Sequence, residues 1–368
     1  MPSYFDHAAT SPLRPQARDA LVESLAEVVG NAASLHRLGQ RARRHLEEAR
    51  EELAAAVGAK PSEVVFTSGG SEADSIALLG TMRARSDRPR AFVSAVEHPA
   101  VLEAQGFGAE VLEVGPDGVV APEAWAQVDG ATAVVSVMAV NNETGVHQPF
   151  EPLVLHTQRV GAWSHSDAVQ AFGHIPLDFG ASGLDLMSLS AHKIGGPVGI
   201  GALLVRRGVV PAPIGLGGGQ EQRIRSGTSP VALAASFAVA ASAATAGLTA
   251  EAARLCSWRD EIRALGVACG GRINGSDCAP HIVNITFPGL RSQDLLFLLD
   301  SAGICAAAGS ACRAGVNQPS HVLLAMGASE ADASASLRIS LGHATTAAEV
   351  EHLRRVLPDA VTQARAAG

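Results

Sequence analysis

Short apolar runs alternate with amphipathic stretches through the first two thirds of the chain. Seven segments, 64–67, 91–96, 109–114, 131–140, 162–166, 185–189 and 200–205, read as strands: most are short runs rich in Val, Leu or Ala, separated by helical or irregular segments. Between and before them the apolar period lengthens to that of a helix, at 16–29, 40–57 and 71–83. In 40–57 the residues Ala42, Leu46, Ala49 and Leu53 share one face, and Gly58 stops the helix. Strands alternating with helices predict an α/β fold with a mostly parallel sheet covered on both faces. The segments 185–189 and 200–205 lie too close for a helical crossover, so that pair is antiparallel and the seven-stranded sheet is mixed.

After a helix at 231–247 the pattern thins to helix, strand (282–287), helix (292–302), loop, helix, strand (336–340) and helix. This is a smaller α+β domain. Pro2, Pro12 and Pro15 keep the first fifteen residues extended, as an arm that returns to it. The predicted division is a large domain over 16–250 and a small domain formed by 1–15 and 251–368.

Composition narrows the functional class. The 368 residues are 47% hydrophobic and 17% charged with net charge -8, which disfavours a nucleic-acid-binding role. Arg41, Arg43, Arg44 and Arg50 on one helix are offset by Glu47, Glu48, Glu51 and Glu52. The start lacks the basic and apolar regions of a signal peptide. The alanine-rich 231–246 is short and reads as a buried or linking helix, so no membrane segment is expected. Five cysteines without a CxxC pair give neither a disulfide framework nor a zinc signature, and a cytoplasmic location is expected, with no metal.

Candidate chemistry gathers at strand ends, where open α/β sheets bind ligands. Lys193 sits in Ser190-Ala191-His192-Lys193, before Ile194-Gly195-Gly196-Pro197, in a tight turn between the last two strands. A loop lysine is ordinarily a solvated surface residue; one held in such a turn can form a Schiff base with a carbonyl cofactor. The strand at 64–67 runs into Ser68-Gly69-Gly70-Ser71 and then a helix, a turn that exposes N–H groups to a phosphate. His98, Asn142, Asp167 and Gln170 follow three further strands. Asp167 suits a pyridine nitrogen, Asn142 and Gln170 a ring oxygen, and His98 a ring face. Arg225-Ser226-Gly227-Thr228 is another turn able to donate to a phosphate. Late in the chain, Gly309-Ser310-Ala311-Cys312-Arg313 is polar and glycine-flanked, as an exposed nucleophilic thiol requires, whereas Cys305 lies in an apolar context and reads as buried. Arg338 inside an apolar strand needs either a protein or a substrate carboxylate.

Taken together and in order, these residues resemble the NifS/IscS cysteine desulfurases, fold-type I, class V pyridoxal-phosphate enzymes. The resemblance runs through Asp6-His7-Ala8-Ala9-Thr10, 31–36, 68–72, Glu97-His98, Asn141-Asn142-Glu143, 167–170, 190–193, 225–228, 309–312 and Arg338, and the wording is closest to actinobacterial members. It implies pyridoxal 5'-phosphate as cofactor and L-cysteine as substrate. Lys193, His98 and Cys312 would be catalytic. Lys193 would bind the cofactor covalently and move the α-proton, and Cys312 would take the substrate sulfur as a persulfide and pass it to an acceptor protein, an iron–sulfur scaffold or a tRNA-thiolating enzyme. Gly70, Ser71, Ser190 and His192 would lie at the phosphate. Thr228 would reach the phosphate of the neighbouring subunit of a homodimer, and Asn31 and Arg338 would grip the substrate carboxylate. The chain departs from the family pattern at Ala73 and Ser75, at Ala32, at Gln220 and at Arg313 beside the cysteine. A selenocysteine lyase or other carbon–sulfur lyase on the same fold is the alternative enzyme, and a sulfur-relay scaffold without catalysis is the third reading.

Overall fold

The strands, in chain order, are β1 (Ser3–Tyr4), β2 (Val64–Thr67), β3 (Arg90–Ser94), β4 (Glu110–Leu112), β5 (Thr132–Ser136), β6 (Trp163–Asp167), β7 (Leu186–Ser190), β8 (Gly201–Val205), β9 (Arg272–Ile273), β10 (Ile282–Thr286), β11 (Ile304–Cys305) and β12 (Ser336–Ser340). The computed structural model describes residues 2–309 and 318–367. Seven of these strands form one sheet in the order β2-β8-β7-β6-β5-β3-β4. The pairs from β7 to β4 are parallel, and β8 is antiparallel to both β7 and β2. The carboxyl ends of β2, β7, β6, β5 and β3 therefore lie along one edge.

Strands buried on both faces read as unbroken apolar runs, which is why β5, β7 and β8 were legible: all their residues are buried. The predicted strand at 131–140 is shorter, ending at Ser136. Beyond it Val137 N still donates to His165 O (3.1 Å) and Ala139 N to Asp167 O (2.9 Å), so the chain keeps company with β6 without a regular ladder. Helix α1 (Pro15–Glu27) and helix α2 (Arg37–Ala56) both pack against the helix Val231–Ala246. The last of these is apolar on every side, the mark of a buried helix, and it buries Ala234, Phe237, Ala238 and Ala241. Its Ser236 Oγ donates to Ala17 O (2.7 Å), tying it to α1. No single described helix is long and apolar enough to cross a membrane.

A second apolar core, including Phe5, Ile285, Phe287, Leu337 and Leu353, surrounds the sheet β12-β10-β9. The N-terminal arm joins this body: β1 pairs in parallel with β11, and Asp6 bridges Ser340. We propose that the two cores mark two domains with the boundaries read from the sequence, 16–250 and 1–15 plus 251–368.

The edge strand β2 has backbone groups that no neighbouring strand can pair. A buried ion pair takes them up. Glu221 receives Phe66 N (2.9 Å) and both guanidinium nitrogens of Arg50 (2.8 and 3.0 Å), while Arg50 also donates to Val64 O (2.8 Å). Glu221 is followed by Gln222 and Arg223, and all three residues carry positive φ (42°, 58° and 64°), so the chain accepts backbone strain where this carboxylate is delivered. Replacing Glu221 by Ala leaves buried Arg50 with only the half-exposed Glu47 as carboxylate partner (3.2 Å) and leaves an edge N–H without its acceptor. The expected loss is about 3–5 kcal/mol, read as a lower urea midpoint. Glu48→Ala, whose partner Arg44 is exposed (side chains 57% and 68% accessible), is expected to change stability by under about 1 kcal/mol. Equal small shifts in the two variants would remove the edge-strand account.

Candidate active site

At the carboxyl edge of the large sheet lies a cavity of about 820 Å³. Its floor comes from strand ends and its roof from the second body. Lys193 enters directly after β7, on a single 3-10 turn, Ala191–Lys193. That turn closes on itself: Ile194 N and Gly196 N both donate to Ala191 O (3.1 and 2.9 Å). Gly195 has φ +81°, and a Cβ there would stand 2.7 Å from both Arg14 Cγ and His343 Cε1, so only glycine fits.

Of the residues singled out from the sequence, Gly70, Ser71, His98, Asn142, Asp167, Gln170, Ser190, His192, Lys193 and Arg338 all line this cavity. Gly70 and Ser71 open a continuous helix over 70–84, composed of α3 (Gly70–Ser75), a π turn (Ile76–Gly80) and an α turn (Thr81–Ala84). The first N–H groups of a helix have no carbonyl partner within it and favour an anion. Ser190 closes β7 and His192 follows it, so hydroxyl and imidazole donors stand beside that helix start, the donor set a phosphate monoester requires.

Asp167 ends β6, the neighbour of β7, and is 5% exposed. One of its oxygens accepts from Val169 N (2.9 Å). Burial pushes this carboxyl up, while His98 and Lys193 pull it back. Two further carboxyls, not found from the sequence, stand behind it. Burial, reinforced by the Asp167 charge, holds Asp74 well above its usual range and pushes Glu97 up to about 8. Like charges in a dry site raise one another, and of the three carboxyls Asp167 is the one that His98 and Lys193 pull back down. The signal for Asp74 was its spacing, four residues after Gly70 on one helix face.

Lys193 Nζ donates to Ala8 O (2.6 Å) and Ala9 O (2.8 Å) of the N-terminal arm. Burial and then the Arg338 charge lower it to about 8, against the opposing pull of Asp167 and Asp6. His98 caps the turn Pro99–Leu102, its Nδ1 accepting from Ala100 N (3.1 Å), and burial lowers it. Burial and Lys193 lower His192 to about 4, so it is neutral. Arg338, in β12, finds the protein carboxylate that the sequence left open: Nη2 pairs with Asp6 (2.7 Å) and Nη1 donates to Asn142 O (2.9 Å). Its Nε is buried without a partner, and the two hydrogen bonds leave three of the five guanidinium N–H donors uncommitted.

Other residues singled out from the sequence do not line this cavity. Asn31 is exposed, outside the lining, and its Oδ1 accepts from Ala33 N (2.9 Å); it does not reach this chain's pocket, because its side chain is spent on the turn before α2. Thr228 is also exposed and outside the lining. In the same turn Arg225 is turned to Glu72 (3.1 Å). Cys305 is half-buried rather than buried, since β11 is a two-residue strand paired only with the arm. Cys312 and Arg313 lie outside the described residues.

Residues 3–353 match the model of the family described as aminotransferase class-V. An "IscS-like cysteine desulfurase" of Mycobacterium tuberculosis is 46% identical over 99% of this chain and 98% of its own. The solved structure titled "NIFS-LIKE PROTEIN" superposes with a TM-score of 0.92 at 32% identity, covering 99% of this chain and 100% of that one. Another, "SspA in complex with cysteine", gives 0.78 at 30% identity over 92% and 98% of the two chains. With the cavity built on the strand ends and agreement running along the whole chain, this protein belongs to the aminotransferase class-V family and, within it, to the IscS-like cysteine desulfurases.

Proposed function

We propose that the cavity holds pyridoxal 5'-phosphate and converts L-cysteine to L-alanine, with the sulfur captured as a persulfide on Cys312. The observation that carries this reading is the convergence on one cavity of an amine lowered to about 8, a buried carboxyl that His98 and Lys193 pull toward its charged form and an anion-binding helix start. The residues fit the group. Lys193 would hold it; Gly70, Ser71, Ser190 and His192 would take the phosphate; Asp167 would face the pyridine nitrogen; Asn142 and Gln170 would touch the ring oxygen; His98 would stack on the ring. When bound, the cofactor supplies an electron sink for the pair freed at the substrate α-carbon.

The chain's own groups do the rest. Arg338, which lines the cavity, would take the substrate carboxylate on its uncommitted guanidinium N–H groups. Lys193, neutral above about pH 8 and easily reprotonated below it, would remove the α-proton and return it. Asp167 would hold a proton on the ring nitrogen. The Cys312 thiolate would attack the substrate sulfur. The new S–S bond forms as the C–S bond breaks, the carbon fragment keeps the C–S electron pair, and its protonation gives alanine.

The exposed Thr228, outside its own chain's cavity, suits a homodimer in which it serves the neighbouring pocket. An iron–sulfur scaffold or a tRNA-thiolating enzyme is the proposed sulfur acceptor and the cytoplasm the proposed setting, without direct contact with nucleic acid or membrane.

Lys60 and Lys193 are the chain's two lysines, which makes the assignment simple to test. Borohydride reduction of protein loaded with pyridoxal phosphate is expected to fix the cofactor on the peptide containing Lys193 and leave the exposed Lys60 unlabelled. In cofactor-free protein, acetylation of Lys193 is expected to rise with pH around a midpoint near 8. Arg338→Leu removes a repelling cation and should move that midpoint up, and Asp167→Asn removes an attracting anion and should move it down. Two unmoved midpoints would sink the electrostatic account. Cys312→Ser should keep the Lys193 label while abolishing alanine formation from cysteine. Retained turnover would favour a carbon–sulfur lyase without a persulfide carrier, and a wild-type chain that takes up cofactor but forms no alanine would favour a relay scaffold.

A further inference from the structure

Gln170 is held from two sides. Its Nε2 donates to Ala8 O (2.8 Å), the same carbonyl that receives Lys193 Nζ (2.6 Å). Its Oε1 lies 3.2 Å from His281 Nε2. An amide oxygen only accepts, so His281 Nε2 must carry the ring hydrogen. Turning the amide over would set its oxygen against the Ala8 carbonyl, two acceptors face to face. His281 and Ala8 thus select one orientation of Gln170, and the second hydrogen on Nε2 stays uncommitted in a residue that lines the cavity.

His281 comes from elsewhere in the molecule. It immediately precedes β10, and its backbone oxygen accepts from Leu341 N (2.8 Å), so it is fixed to the small sheet. Its ring is fully buried and stacks on His174 with centroids 3.8 Å apart and planes at 13°. The Nδ1 atoms of both rings are buried without partners. Every charged or titratable group acting on His281 opposes a proton there: after burial itself, His174, His7, His147 and Arg338. His174 is held at about 4 by burial, then by Arg14, His7 and Lys193, against a favourable Lys193 carbonyl. The tautomer is therefore fixed over the physiological range.

We propose that His281 is a positioning residue of the desulfurase reaction, which from the second body orients the Gln170 amide so that its free N–H faces the cofactor. The inference rests on the reading that Gln170 touches the ring oxygen of pyridoxal phosphate. Through the shared Ala8 carbonyl, the same contact joins Lys193, the arm and the small sheet in one hydrogen-bonded line.

His281→Phe keeps a ring on His174 and deletes the donor; His281→Gln restores an N–H. In cofactor-free protein, isothermal titration with pyridoxal phosphate should show His281→Phe binding about fivefold more weakly, the effect of one hydrogen bond. The visible absorption maximum of the loaded protein should shift in His281→Phe and return toward wild type in His281→Gln. Val283→Ala, a cavity in the neighbouring core, serves as the stability control and should lower the unfolding midpoint without moving the band. Nitrogen-15 spectra of the imidazoles should show His281 hydrogenated at Nε2 alone from pH 8 to 5.5. The proposal is overturned by an unchanged affinity and band in His281→Phe, by equal band shifts in His281→Phe and Val283→Ala, or by an Nδ1–H or doubly protonated ring. Failure of wild-type protein to bind pyridoxal phosphate would instead overturn the cofactor reading beneath it.

Discussion

A buried amine held by carbonyls keeps its proton loosely; one held by a carboxylate keeps it tightly. Lys193 is of the first kind. Its hydrogen bonds go to Ala8 and Ala9, both neutral dipoles, while the nearest fixed charges disagree, with Arg338 on one side and Asp167 and Asp6 on the other. Such an amine can be neutral when it must attack and charged when it must return a proton. The rest of the site follows from this choice of partner. The arm must cross the cavity to bring two carbonyls to the lysine, and it does so anchored at β11 before the crossing and against Ser340 within it. The sharp turn after Lys193, with Gly195 wedged between Arg14 and His343, leaves room for that crossing.

The negative side of the site is arranged by the opposite means. Asp167 has company it cannot escape, Asp74 and Glu97: burial raises all three, the Asp167 charge raises the other two further, and His98 and Lys193 pull Asp167 back. The two rear carboxyls have few accepting groups to spare, with one oxygen of each lacking a hydrogen-bond partner. Of the three, Asp167 is the carboxyl that His98 and Lys193 act on. Crowding three carboxyls opposes charging all of them and favours charge on the one with cationic groups beside it.

Much of this was legible because strand ends are conspicuous. A buried parallel strand is an apolar run, and the first polar residues after it fall on the ligand edge, which is how His98, Asn142, Asp167 and Lys193 were found together. The method fails where that link between order and position breaks. Asn31 follows a helix rather than a strand and was named by the resemblance alone; its side chain serves the local turn. Asp74 lies inside a helix, where a carboxylate usually means a solvated face, and only the fold turns that face inward. The strand at 131–140 was overestimated because an extended loop buried beside β6 has the same composition as a strand. His281 carried no signal at all: its meaning depends on the amide of Gln170, more than a hundred positions away, and on which way that amide points.

The helix that begins at Gly70 contains one irregularity, the π turn at Ile76–Gly80. A turn that bonds five residues apart holds one residue more than an α turn, which offsets the faces on its two sides by about 100°. Before it, Gly70, Ser71 and Asp74 look into the cavity; after it, Thr81 is buried and Gly80 O accepts Ala212 N (2.9 Å) from the loop after β8. The two ends of this helix are therefore phased independently, each to its own surroundings. Length is constrained here as strictly as identity: losing a single residue between Asp74 and Thr81 would give a more regular helix and swing one of its ends away from what it was built to meet.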